Sequence, residues 1–381
     1  MVTNEESSGP VVCPEVPSTD GARHTLAYGQ YRLNYEVYGS GDRTLVWLHG
    51  ILLDANLSRG LARALAARGN RVVLLDLLGH GRSDKPRHSG PHRMDLYADQ
   101  VLCLLDELGV DQVMLGGVSL GTNVSLLTAV RAPGKVRGLV LEMPVLESAA
   151  PAAALFFVPL LLQVRYARTP LRLVSKVVSR LPSSGIGPLD SLLSAVGSDP
   201  DELAAVLHGM LMGPMAPTAE QRQGIAVPTL VLGHGIDLVH SFADAKRLAR
   251  QLPDARLIRT RTFAELWVRP ARLTAEIAGF LDRVWADGEP QDSAALAAQS
   301  AFPAAGGAGF LGAAFLGAAF LGAAFRGAAF LTGAEPFPCG ARRDRFARVG
   351  AGASCCSAAR SNSDTPCSMP RARTSTSGFA A

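Results

Sequence analysis

The chain has 381 residues, 48% hydrophobic and 18% charged, so most of it carries the apolar content of a packed core, and a wholly disordered chain is excluded. Its 37 basic and 33 acidic side chains leave a net charge of +4. Residues 291–381, with eight Arg, no Lys and four acids, hold that whole excess, and a nucleic-acid reader with a basic folded face is excluded.

Composition divides the chain into three parts. Residues 1–21 are polar and Pro-rich, a flexible leader. Residues 22–288 are a globular domain. Residues 289–381 are dominated by Ala, Gly and Ser, and are expected to be a low-complexity, disordered tail with AAFLG repeats. The acidic start MVTNEESSGP lacks a basic stretch followed by an apolar one, which predicts no signal peptide and a cytoplasmic protein. Four of the six cysteines lie in the tail, and no CxxC spacing supports a zinc site or a disulfide framework.

In chain order, Leu33–Tyr38 alternates as a strand and Thr44–Leu48 is an apolar run closing on His49-Gly50. Arg59–Arg68 has helical period, Arg71–Leu75 is a short strand, and Met94–Leu108 is an amphipathic helix. Val113–Val118 is a strand and Leu120–Val130 a helix. Strands follow at Val136–Leu141, Thr229–Leu232 and Ala255–Ile258, with a last helix at Leu273–Val284. Short apolar strands alternating with helices predict an α/β fold, a mostly parallel sheet covered by helices on both faces. Residues 147–227 break the alternation: they are strandless, Ala-, Leu- and Val-rich, and read as a helical cap inserted between two strands. Leu155, Phe156, Phe157, Leu160 and Leu161 lie there, either lining a site for a lipophilic ligand or packing the cap on the core.

Gly117-Val118-Ser119-Leu120-Gly121 follows an apolar strand and opens a helix, the setting of a nucleophile elbow. A serine on so tight a turn leaves no room for a side chain two residues to either side, hence Gly117 and Gly121. The following helix aims its N–H groups and positive dipole end at the site, which favours a developing oxyanion.

With LVWLHG, VVLLDLLGHGRSD, GGVSLG and PTLVLGHGID in order, the chain from about Tyr31 to Val284 resembles the α/β-hydrolase superfamily. The resemblance implies a Ser–acid–His triad in that chain order. Ser119 maps to the nucleophile, and Asp237, just past the next-to-last strand, to the acid, with Glu142 as the fallback. Ile51 and Leu120 N–H groups map to the oxyanion hole, and His49 and the Asp76–Asp84 segment to structural roles. Serine at the elbow disfavours the haloalkane dehalogenase and epoxide hydrolase branches, which use Asp.

The family's histidine should follow the last strand, but the sequence there reads RTRTFAE, and no histidine follows His240. The base is therefore unidentified by motif; His240, His234 and His208 are the candidates. His88 and His92 are separated by Gly90-Pro91, which forbids a helical metal face. The resemblance implies no cofactor and no metal, and a small-molecule, apolar substrate or ligand. Two readings follow: a serine hydrolase of small or lipophilic esters, or a catalytically degenerate α/β-hydrolase-fold binding protein. Residues 304–325 are 22 long without a charge, enough to span a bilayer, but their Ala and Gly content argues against membrane association through them.

Overall fold

The computed structural model describes residues 21–286, apart from Ile236, Leu238 and Phe263. The expected leader, the low-complexity tail, its AAFLG repeats and the 304–325 stretch lie outside the described residues.

Strands β1 (Ala22–Tyr28), β2 (Tyr31–Tyr38) and β3 (Thr44–Leu48) come first. Helix α1 (Arg59–Ala66), β4 (Arg71–Asp76), α2 (Met94–Leu108), β5 (Val113–Val118), α3 (Leu120–Arg131) and β6 (Val136–Glu142) follow. Then come five helices: α4 (Ala150–Tyr166), α5 (Arg168–Val178), α6 (Gly187–Val196), α7 (Pro200–Met210) and α8 (Ala219–Gln223). β7 (Thr229–His234), α9 (Phe242–Gln251), β8 (Ala255–Thr260), α10 (Glu265–Val268) and α11 (Ala271–Ala286) complete the described chain.

The strands form one sheet in the order β1-β2-β4-β3-β5-β6-β7-β8. β2 runs antiparallel to β1 and β4, and every other pairing is parallel. The period-2 alternation of strand side chains divides the core into two layers. Val46 and Leu48 of β3 face Tyr97, Leu104, Val124 and Leu248, on the side of α2, α3 and α9. Leu45 and Trp47 face Leu65, Ile277 and Leu281, on the side of α1 and α11. Both faces are covered, which is why the inner strands read as unbroken apolar runs. Each fully buried Leu contributes about 2 kcal/mol by removal from water.

The sequence pattern missed β1. It is an edge strand whose first four residues, Ala22, Arg23, His24 and Thr25, are exposed, so it carries no apolar alternation. It is held by its antiparallel register to β2, from Ala22 opposite Val37 to Tyr28 opposite Tyr31, around a turn where Gly29 takes a left-handed φ of 56°. The parallel strands all end at one edge, and the segments after β3, β5, β6 and β7 meet there. That edge is where open α/β sheets place their ligands.

Candidate active site

The Ser119 turn comes from a conflict between chain direction and space. β5 runs between β3 and β6, with Leu48 opposite Gly117 and Leu141 opposite the same residue on the other side. A Cβ on Gly117 would come within 2.6 Å of the Leu48 carbonyl oxygen, and one on Gly121 within 2.4 Å of it. Only glycine fits at either place, so α3 can start directly under β3. Ser119 absorbs the reversal at φ 53° and ψ −105°, a conformation L-residues rarely adopt. Its N–H donates to the Glu142 carbonyl (2.8 Å), and the Thr122 hydroxyl reaches the Gly117 carbonyl at 2.7 Å, tying the strained turn to β6 and to β5 itself.

Leu120 is the first residue of α3, so its N–H has no carbonyl one turn back within the helix to bond. Ile51 follows β3, and both residues border the same cavity as Ser119. The loop carrying Ile51 is held by His49. Its Nδ1–H donates to the Gly50 carbonyl (2.8 Å) and its Nε2 accepts from the Leu77 N–H (3.0 Å). With both ring nitrogens used, His49 is a brace, as expected. Asp76 is a second brace: its carboxylate accepts from the N–H groups of Ala55 (2.8 Å) and Arg82 (3.0 Å) and from the Asn34 amide (3.1 Å).

The histidine that reaches Ser119 is His240, from the segment after β7 rather than the one after β8. Asp237 organises that segment. Its Oδ1 accepts from the N–H groups of Val239 (2.8 Å) and His240 (2.9 Å). Its Oδ2 accepts from His240 Nδ1–H at 2.9 Å. That bond assigns the proton to Nδ1 and leaves Nε2 to accept from the Ser119 hydroxyl, also at 2.9 Å. Ser241, next in the chain, caps α9 by accepting from the Ala243 N–H (3.2 Å), so the helix start fixes the backbone at His240. Burial by itself would raise the Asp237 carboxyl. The His240 ring and the two N–H donors outweigh it and hold the pKa at about 2.

The other candidates are elsewhere. His234 is fully buried and its Nε2–H donates to Glu142 Oε1 at 3.2 Å. Glu142, the fallback acid, thus serves His234 and not the histidine at Ser119. His208 is exposed on α7, in a cleft with Arg87, Arg165 and Arg168. Among the described residues no cluster of His, Cys, Asp or Glu could hold a metal ion.

Ser119 opens into a cavity of about 60 Å³ with an apolar lining from Ile51, Met94, Phe157, Leu207, Met210 and Met215. That volume holds a few waters or a small acyl group. The five apolar residues of the inserted segment divide between the two readings, and two of them do neither. Phe157 borders the cavity, while Leu160 and Leu161 pack with Val164 and Leu207. Leu155 and Phe156 are 78% and 53% exposed, on the outside of α4.

Two buried residues that the motifs did not single out position this edge. The Asn123 amide of α3 donates to the carbonyls of Val145 (2.7 Å) and Met215 (2.9 Å), pinning both ends of the inserted helices to the helix below Ser119. Asp244 of α9 accepts from the N–H groups of Leu146, Ser148 and Ala149, at 2.8–3.0 Å. The available signal for Asn123 was a polar residue at an interior position of an apolar helix.

Comparison with known proteins agrees with this fold. Residues 43–212 match the family described as alpha/beta hydrolase fold. An uncharacterised protein of Mycobacterium tuberculosis is 36% identical over 128 residues, 33% of this chain and 36% of that protein. A Pseudomonas putida 2-hydroxy-6-oxononadienedioate/2-hydroxy-6-oxononatrienedioate hydrolase is 40% identical over 114 residues, 29% of this chain and 39% of the relative. The chain thus spans under two fifths of the length of these curated relatives. The enol-lactonase from Burkholderia xenovorans superposes with a TM-score of 0.56 at 20% identity, covering 68% of this chain and all of that one, a likeness of fold. The family match stops at residue 212, but the sheet it enters continues through β7 and β8, and the fold of the described residues is that of the α/β hydrolases.

Proposed function

We propose that the protein is a serine hydrolase of carboxylic esters or related acyl bonds, acting on small or lipophilic molecules. The observation that carries this reading is the hydrogen-bonded series Ser119 Oγ–His240 Nε2, His240 Nδ1–Asp237 Oδ2, with both links at 2.9 Å. The absence of a histidine after β8 was the reason to consider a degenerate binding protein. His240, arriving from another segment, removes that reason.

Ser119 Oγ attacks the acyl carbonyl carbon as its proton passes to His240 Nε2. The carbonyl oxygen gains the negative charge, and in this reading the N–H groups of Ile51 and Leu120, which border the same cavity, receive it. Collapse of that intermediate expels the alcohol oxygen, which takes the proton back from His240. Water then attacks the acyl-serine through the same histidine, releasing the acid and restoring the Ser119 hydroxyl. Asp237 stays ionised throughout and holds the imidazole in the tautomer that presents a bare Nε2.

The helices between β6 and β7 act as a cap in this reading, and their apolar inner side selects an acyl chain over a charged substrate. Hydrolysis of a series of p-nitrophenyl esters, from acetate to longer acyl chains, tests it. Turnover that Ser119→Ala abolishes is expected; no turnover of any member by the folded protein would overturn the reading.

A further inference from the structure

Sixteen large hydrophobic side chains are exposed among the described residues, and fifteen of them lie between Leu155 and Met212; only Val268 lies elsewhere. Surface hydrophobic residues are ordinarily scattered, so a concentration on one set of helices marks something those helices touch. Leu155 and Tyr166 on α4 are 78% and 82% exposed, and Leu173 and Val177 on α5 are 67% and 56% exposed.

Charge accompanies this face. Residues 150–197 contain five basic side chains and one acid. Arg168, Arg172, Lys176 and Arg180 recur every four residues along α5 and just past its end. At about 100° per residue they form a stripe that drifts slowly around the helix. Leu173 and Val177 fall directly beside it, Val174 is exposed farther round the helix, and Ser175 is buried. Arg168 and Arg172 pair with Asp201, whereas Arg165, Lys176 and Arg180 have no ion-pair partner among the described residues. An exposed apolar strip bordered by unpaired basic residues is the form of a helix that lies in a membrane interface.

We propose that the outer face of α4, α5 and α6 docks on an anionic lipid surface. Charge selects this occupant. Of the segments outside the described residues, 291–381 is itself basic, with eight Arg against four acids, and like charge disfavours it, while 1–20 carries four acids and no base but is polar and lacks an apolar run to cover the leucines. A second copy meeting this face by two-fold symmetry would oppose the stripe to itself. An anionic bilayer supplies both an apolar phase for the leucines and a negative potential for Arg165, Lys176 and Arg180. No single described helix is long and apolar enough to cross a membrane; α4 and α5 reach that length and apolarity only as a pair broken by a bend of 94°, and the basic residues along α5 favour a helix lying in the interface. The proposal goes beyond the hydrolase reading and stands whether or not Ser119 is a nucleophile. It gives α4 two functional sides, since Phe157, in edge-to-face contact with the exposed Phe156 (ring centroids 5.1 Å apart), borders the cavity.

The test is co-sedimentation of the full chain with phosphatidylglycerol vesicles at low ionic strength, beside phosphatidylcholine vesicles. Lys176→Gln/Arg180→Gln and Leu173→Ser/Val177→Ser are compared with the wild type. All these positions are exposed, and circular dichroism melting and hydrolysis of a soluble short ester serve as controls expected to be unchanged. The expected result is binding to phosphatidylglycerol, weakened by salt and about twentyfold weaker in the charge variant, from about fivefold per basic residue. The apolar variant is expected to bind at least tenfold more weakly. The eight Arg of 291–381 are present in every protein compared, so the ratios report the helical face. No binding to phosphatidylglycerol, or equal binding by wild type and both variants, would overturn the proposal. So would a wild-type dimer in light scattering that Leu173→Ser/Val177→Ser dissolves, because a second copy would then be the occupant.

Discussion

His240 Nε2 and Ser119 Oγ stand 2.9 Å apart although 121 residues separate them, one following β7 and the other β5. The strands between which these segments turn are separated in the sheet only by β6. Asp237 and His240 sit three residues apart in one segment, so a single Asp-centred turn sets both members of the proposed acid–base pair. With the proposed base there, the reading needs no histidine after β8.

Replacing His240 with Ala is expected to lower kcat/KM for an ester that the wild type hydrolyses by about 10⁴-fold, with the melting temperature little changed. Steady-state kinetics with an activated ester measures it, and added imidazole is expected to restore part of the rate. An undiminished rate would assign the base elsewhere.

His234→Gln separates the second histidine from the first. His234 and Glu142 are both fully buried and bonded to one another, while His234 Nδ1 and Glu142 Oε2 find no partner among the described residues. Breaking the pair by His234→Ala is expected to destabilise the fold by about 3–5 kcal/mol. The milder Gln variant is expected to keep its reaction at Ser119. Thermal melts paired with ester hydrolysis distinguish a stabilising pair from a catalytic one.

The strain at Ser119 makes a prediction in the other direction. Glycine tolerates φ 53° and ψ −105° far better than serine, and the Ser119 side chain makes no capping bond to α3. Ser119→Gly is expected to raise stability by about 1 kcal/mol while abolishing activity. Gly121→Ala is expected to lower it by about 1–3 kcal/mol, because the new Cβ meets the Leu48 carbonyl. Urea unfolding of the three proteins side by side checks both signs.

Asp237 carries an acid-sensitive share of stability. Its pKa is depressed to about 2 from the ordinary 3.8, so the folded state binds the proton less readily than the unfolded chain does. The stabilisation is present in full above pH 5 and is lost as pH falls through about 4 to 2. The depression corresponds to about 2 kcal/mol. Stability curves of the wild type and Asp237→Asn are expected to converge by that amount across this window. Parallel curves would mean that the carboxylate is not held by His240.

Much of this fold was legible because its signals are local. Gly117 and Gly121 announce the turn at Ser119, and the apolar runs of β3, β5, β6 and β7 announce a sheet buried on both faces. β1 was not legible, because an edge strand that exposes Arg23, His24 and Thr25 has no pattern apart from its partner. The base was only a candidate, because nothing in the sequence LVHSF distinguishes His240 from a histidine in any turn. Its role depends on the distance from β7 to Ser119, which only the strand order supplies. Leu155 and Phe156 show the reverse limit. Helical spacing says that α4 is apolar, with Phe157 inward and its two predecessors outward, but not what the outward pair meets.

Activation of Ser119 by His240 in the proposed reaction is checked by the rate of labelling with a fluorophosphonate probe. Rapid labelling of the wild type is expected, with none of Ser119→Ala and labelling slowed by at least 10³-fold in a folded His240→Ala. Labelling of His240→Ala at the wild-type rate, or no labelling of the folded wild type, would contradict it.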